Sequence, residues 1–453
     1  MPSGRGFPAY VWLFLAFLAT NMLSGYSKLV GFPIGPDRLL FASFVVLLVL
    51  DRRTWQVRRL RVGFIHLCML ALVLLALESA QRVGNLTSGL GGFALLDRLV
   101  IPFVLFVLGP FVLSSPARRD LFLKFAVLMA LYLGLTALFE LAGPRALVFP
   151  RYIVDPSVGI HYGRARGPFV EAVANGVVMV QVGFAAGFAA VRFRTWWRYV
   201  SVLAVALCSL GVILSLTRSV WVGAAASVAL AGMIIPRLRR YLPSVVVGGV
   251  IAVGALLTFV PSLNTGVNSR VNDQRPIWDR QNTDIAALRI IEQRPLTGIG
   301  WEQFVDHGVD FVRQARDYPI TATHLEVHNV LLARGAELGL PGLVLFVACL
   351  ALGPARGIFS RSRDSEHEGW RVVLLGSSVA WFSGAMLSPF GTPLPNFLLW
   401  LFAGMVLAPA MIGRRQPWPS QLPGPIRLGR RSGSTRAAYG LPDGHDGAAD
   451  SAG

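Results

Sequence analysis

The stretch HLEVHNVLLARGAELGLPGLVLF, residues 324–346, sets two histidines, an acid and an asparagine just ahead of an apolar run ready to enter a membrane. His328 has the clearest chemistry of the group, because an imidazole titrates near neutrality and can take a proton from a hydroxyl. A histidine at a helix mouth also serves as a cap or an interfacial group. Asn329 beside it meets the same water or water-filled cavity. His324 and His328 stand four apart, as two ligands on one helix face would. Leu325 stands where the zinc-protease order needs glutamate, Glu326 points elsewhere, and no third ligand is evident, so no metal is expected.

Arginine supplies the other chemistry. Arg218, in LSLTRSVWVG, sits in a hairpin so tight that its guanidinium must lie at the membrane boundary. Arginine there is costly unless paired or hydrated, which marks either a site or a snorkelling anchor. Arg280 in IWDRQNTD and Arg289 in ALRIIEQ have Asp279, Asp284 and Glu292 close by, the ordinary setting of exposed ion pairs. With Arg164 and Arg166 of YGRARGPFVEAVANG they form a set of guanidinium groups whose forks fit phosphate oxygens and keep their charge at any physiological pH. A phosphorylated ligand is one reading of this set, and an anionic lipid headgroup is the other.

The elements that must position these groups are membrane helices. Of the 453 residues, 54% are hydrophobic and only 15% charged, far from an ordinary soluble domain. A membrane helix needs about 20 mostly apolar residues. About twelve runs qualify: 9–29, 35–50, 62–80, 93–113, 120–142, 169–191, 199–216, 219–235, 243–260, 327–352, 371–388 and 394–412. The fold class is therefore expected to be all-α and polytopic. Loops rich in arginine, DRRTWQVRRLR, SSPARRD, RFRTWWR, PRLRRY and GPARGIFSRSRDSEHEGWR, follow alternate spans and mark the cytoplasmic side. The intervening loops, ESAQRVGNLTSGLGG, 143–168, SLTRS, 261–326 and SPFGTPLP, then lie outside, and both termini fall in the cytoplasm. The arginine-rich loops account for the net charge of +18, and no nucleic-acid module accompanies it. Cys68, Cys208 and Cys349 lie inside apolar runs and read as small core residues. The first run, from about Ala9 to Leu23 behind Arg5, reads as an uncleaved signal anchor.

Residues 1–412 are expected to form the transmembrane domain, with the extracytoplasmic loop 261–326 set between the ninth and tenth spans. Residues 413–453 are too rich in Pro, Gly, Ser and Arg to build a core and read as a disordered cytoplasmic tail. Loop 261–326 is long enough to signal function. Within it NTDIAALRIIEQRPLTGIG predicts a short helix stopped by Pro295 and a tight turn at Gly298 and Gly300. Trp278, Trp301, Phe304, Phe311 and Tyr318 serve either to stack on sugar rings or to pack the loop onto the membrane domain.

RPLTGIGWEQF and then HNVLLARGAELGLPGLVLF, with SLTRSVWVG ahead of both, resemble the O-antigen ligase and O-antigen polymerase superfamily, most strongly over about residues 160–352. The family pattern is a P-x-x-G-x-G turn in a large outer loop, an H-N pair, and an E-x-G-x-x-G run opening the next span. It falls here on Pro295, Gly298 and Gly300, on His328 and Asn329, and on Glu337, Gly339 and Gly342. The resemblance implies a GT-C-like fold in a bacterial cytoplasmic (inner) membrane and inverting glycosyl transfer that needs neither metal nor cofactor. The donor it implies is a glycan on undecaprenyl pyrophosphate, and the acceptor is a glycan or a lipid-linked unit at the outer membrane face.

By the same resemblance Arg218 and a second arginine hold the pyrophosphate, and His328 activates the acceptor hydroxyl. Counting back from Pro295 gives Arg280 as the second arginine, although Asp284 stands where the family commonly has tryptophan; Arg275, followed by Trp278, is the competing register. Arg164, Arg166, Arg289, Asn329 and Glu337 complete the expected substrate-binding set. A flippase for anionic glycolipids would use the same arginines without a base, and a non-catalytic scaffold would leave the cluster without a purpose. The motifs do not separate ligase from polymerase.

Overall fold

The computed structural model describes residues 6–23, 25, 35–87, 90–234, 239–240, 243, 247–249, 254, 258, 275–312, 326–362, 364–388 and 391–414. Most of the expected span 243–260, together with Tyr318, His324 and the tail from residue 415, lies outside the described residues. The chain is a mostly helical, polytopic membrane protein. Among the described residues its longer helices are α1 (Ala9–Met22), α2 (Pro36–Leu50), α3 (Phe64–Arg82), α4 (Gly91–Val112), α5 (Pro116–Leu141), α6 (Ala172–Arg192), α7 (Trp197–Leu214), α8 (Arg218–Ile234), α9 (Arg275–Gln293), α10 (Val330–Phe359), α11 (Ser365–Leu387) and α12 (Leu394–Met411). Among the described residues, eight of these, α3 to α7 and α10 to α12, are long and apolar enough to cross a membrane. Helices α1, α2 and α8 are shorter and overlap three more of the expected spans.

The side chains sort as a bilayer-embedded bundle requires. On α3, Leu67, Leu70 and Leu74 point outward at helical spacing, while Cys68, Met69, Leu72 and Ala76 pack inward. A contiguous apolar outer face of this kind marks a surface that lipid or another protein covers. The interior is aromatic: Phe14, Phe17, Phe44, Phe122, Phe402, Trp370 and Trp400 are all buried there, with Trp400 of α12 edge-on to Phe103 and Phe106 of α4.

Four of the arginine-rich loops meet at one end of the bundle. At the arginine-rich end, Arg192 pairs with Asp120 and, at 3.4 Å, with Glu366, which also binds Arg119. Arg58 donates to the Ser114 carbonyl at 2.9 Å. Here β1 (Arg58–Leu60) pairs antiparallel with β2 (Ile412–Arg414), so regular structure continues to Arg414. At the other end, Asn85 donates to the Trp301 carbonyl (3.0 Å), Ala165 N to the Leu214 carbonyl (3.1 Å), and Thr392 to the Glu171 carboxylate (3.0 Å).

The segment ahead of α10 contributes α9, which starts at Arg275 and so is longer than the short helix expected from the sequence. Its first half, RPIWDRQN, carries no apolar period; the buried face is supplied further along by Ala286, Ala287 and Ile290. Beyond Pro295 the two glycine motifs dock on each other. Helix α10 breaks at Gly339 (φ 70°, ψ −174°), a backbone region essentially restricted to glycine. The carbonyls next to the break accept from the turn: Ile299 N to Ala336 O at 2.9 Å and Gly300 N to Glu337 O at 3.1 Å, with Leu340 N donating back to Pro295 O at 2.7 Å. A Cβ on Gly298 would strike the Ala336–Glu337 backbone, and one on Gly339 the Pro295–Leu296 backbone.

Candidate functional site

At the end of the bundle away from the arginine-rich loops, a cavity of about 140 Å³ is lined by His161, Arg164, Thr217, Arg218, Ser219, Ile277, Arg280, His328 and Ser388. Arg218, Arg280 and His328 each arrive on a different element, and His161 and Arg164 come from the loop before α6. Arg218 is the first residue of α8, and the hairpin before it is tied by its own side chains. Ser215 Oγ donates to Val212 O (2.7 Å), Thr217 Oγ1 to Ser215 O (2.8 Å), and the Trp221 indole to Val212 O (3.0 Å). Arg280 projects from α9. His328 precedes α10, whose N-terminus Asn329 caps by accepting from Leu331 N (3.0 Å) and Leu332 N (3.2 Å). The side chain of Asn329 thus fixes the backbone immediately next to the histidine.

The electrostatics follow from partial burial among like charges. His328 is pushed down to about 4, first by burial and then by the Arg280 charge, with Asp279 and Glu326 acting in the opposite direction. Arg280 is itself lowered by burial and by Arg218, and Asp284, one helical turn away, is pushed up to about 6 by burial. Nδ1 of His328 and Nε of Arg280 are buried without a hydrogen-bond partner among the described residues. The site therefore combines fixed cationic charge with a neutral imidazole that has a lone pair to offer.

Other residues singled out in the sequence lie elsewhere. Arg166 is fully buried and spends its guanidinium on its own loop, donating to Ile153 O (2.8 and 3.0 Å), Val158 O (2.5 Å) and Asp155 O beside the Tyr162 ring. Glu140 accepts from Arg166 N and Gly167 N, each at 3.1 Å. Arg289 donates to Phe311 O at 2.5 Å. Arg275 opens α9, and its side chain lies outside the described residues. Glu337 is buried against Arg334 (2.6 Å) and lines a second cavity of about 380 Å³, together with Asp97, Arg98, Glu302, Glu326, Phe304 and Trp381. Trp301 is fully buried under the Arg334 guanidinium (4.5 Å) and donates to Gly91 O (3.0 Å), so it packs the loop onto the membrane helices.

Sequence reasoning passed over His161, Ser388 and Arg98. His161 had a signal, a histidine three places before Arg164 in the loop ahead of α6. Arg98 lies inside an apolar run, and its unfavourable placement was the signal.

The fold and this cavity define an integral membrane protein in which arginines and histidines from separate segments meet in one place. Residues 203–347 match the O-antigen ligase family model, a segment that includes Arg218, Arg280, His328 and both glycine motifs. The chain is thus O-antigen ligase-like across that segment. No curated protein matches the sequence.

Proposed function

We propose that this protein is a membrane glycosyltransferase that moves a glycan from undecaprenyl pyrophosphate to a hydroxyl of an acceptor glycan or lipid, at the outer face of a bacterial cytoplasmic membrane. The observation that carries this reading is the meeting of Arg218, Arg280 and His328 in one cavity. The O-antigen ligase match over the same residues supports it.

In this reaction the acceptor oxygen attacks the anomeric carbon from the face opposite the pyrophosphate, and the bond from that carbon to the bridging oxygen breaks. Negative charge accumulates on the departing diphosphate, where Arg218 and Arg280 stabilise it more than they stabilise the intact donor. His328 takes the hydroxyl proton as the new bond forms. A bound diphosphate also offsets the arginine charges beside the imidazole, which raises its proton affinity at the moment a base is needed. Attack from the opposite face inverts the anomeric centre.

Reconstitution of the purified protein in liposomes with a lipid-linked oligosaccharide and candidate acceptors tests the reading. A glycosylated acceptor with free polyprenyl pyrophosphate is expected. Movement of the donor across the bilayer without product would instead indicate a flippase and overturn it. Ligase and polymerase separate in a deletion strain: polymer accumulating on the carrier indicates the former, single repeat units the latter.

A further inference from the structure

We infer that Arg98 is a positioning residue for His328, acting through Glu326 and Glu302; the inference rests on the transferase reading above. Arg98 lies in a π-helical turn, Leu96–Val100, of the membrane helix α4. Such turns rotate a residue out of the regular helical register and occur often at functional sites. Its Nη1 pairs with Glu302 at 2.7 Å and its Nη2 with Glu326 at 3.1 Å. Its carbonyl accepts from Asn396 of α12 at 3.1 Å, which ties the turn to the centre of the bundle.

The two acids lead to the site from different directions. Glu302 directly follows Trp301 in the turn docked on α10 and adopts a left-handed backbone (φ 57°), which is uncommon for a residue with a side chain. Glu326 lies two residues before His328 in a segment with no regular structure. The segment 326–328 separates the two cavities: Glu326 and Val327 face the larger one, and His328 faces the basic one. Asn329 holds the segment from its helical side. From the other side Val327 belongs to the same buried apolar cluster as Ala286 and Ile290 of α9, and the Glu326–Arg98 pair joins the segment to the membrane bundle. Without Arg98, Glu302 and Glu326 would repel each other near Glu337, and the histidine would lose its link to α4. The donor arginines Arg218 and Arg280, on α8 and α9, would keep their positions.

The reconstituted transfer assay tests this with Arg98→Gln, Arg98→Lys, Glu326→Gln and, alongside, His328→Ala. Arg98→Gln is expected to lower kcat by about tenfold to a hundredfold, the scale of a misplaced catalytic group, with donor KM within about twofold of the unaltered protein. Arg98→Lys recovers part of the loss, because an ammonium keeps the charge without the fork. Glu326→Gln moves the acid limb of kcat/KM to lower pH. It removes a negative charge that acts on the imidazole through space together with Asp279, against the positive Arg164, Arg218 and Arg280, with His161 also lining the cavity. Should Arg98→Gln fail to fold by thermal unfolding, Glu326→Gln, on a partly exposed side chain, decides alone. Unaltered kcat in Arg98→Gln, a donor KM that rises in step with the loss, or an unmoved acid limb in Glu326→Gln would each overturn the inference. An active His328→Ala would remove the base assignment itself, whereas an inactive His328→Ala beside a fully active Arg98→Gln removes only the role of Arg98.

Discussion

The amide of Gly300 donates to the carbonyl of Glu337 at 3.1 Å, bonding the loop that follows α9 directly to a helix that enters the membrane. Gly298 and Gly339 make this approach possible, both at positive φ and each facing the other strand's backbone. Gly298→Ala and Gly339→Ala are each expected to cost roughly 1–3 kcal/mol, the range for forcing a side chain into such a conformation. A lower thermal unfolding midpoint in detergent would register this. Two unchanged midpoints would mean that the loop does not dock as described.

His328→Ala is expected to reduce transfer by about 10²–10⁴-fold, the usual range for loss of a general base, while the protein stays folded in the membrane. Retention of the wild-type rate would end the base assignment.

The acid limb of the pH–rate profile follows from the surroundings of His328. A base works only when deprotonated, and burial with the Arg280 charge holds this imidazole at about 4, below the ordinary 6.5. The ratio kcat/KM, which reports the free protein, should therefore be flat through neutrality and fall only as pH drops towards about 4. Arg280→Gln removes a charge that lowers the histidine, so the limb of kcat/KM should move to higher pH even though the rate itself is reduced. A limb that stays in place would separate Arg280 from His328.

Lysine should substitute poorly at Arg218 and Arg280. An ammonium carries the charge but lacks the planar fork that engages two phosphate oxygens together. Arg218→Ala and Arg280→Ala are each expected to lose about 10²–10³-fold, as when a fixed donor to a developing anion is deleted. The lysine variants should regain only a small part, measured as kcat/KM for the lipid-linked donor. Full activity in the lysine variants would show that charge alone suffices there.

Much of this arrangement was legible in the sequence because it rests on local rules. Arg218 was placed at a helix mouth by the brevity of SLTRS between two apolar runs, and four of the five arginine-rich loops touch one another among the described residues. What stayed hidden depends on contacts between distant segments. Nothing local in LGGFALLDRLVIP announces a π-helical turn or the two acids that Arg98 meets. RARGPF with Asn175 favours Arg166 over Arg164 by resemblance, yet of the two only Arg164 lines the basic cavity; Arg166 turns into its loop, where backbone carbonyls use its donors. The start of α9 was missed because its first half has no apolar face to reveal a period.

Arg166 should accordingly govern folding of the loop before α6 more than donor affinity. Its guanidinium bridges the carbonyls of Ile153, Asp155 and Val158, which no lysine can satisfy together. Arg166→Lys is expected to destabilise by at least roughly 1.5–3 kcal/mol, the scale of one charge-assisted hydrogen bond. Glu140→Gln should cost less, because the amide oxygen can still accept from the Arg166 and Gly167 backbone nitrogens. Unfolding midpoints should thus fall further for Arg166→Lys than for Glu140→Gln, while the fraction that remains folded keeps a donor KM close to that of the unaltered protein. A raised donor KM at an unchanged midpoint would instead place Arg166 against the substrate.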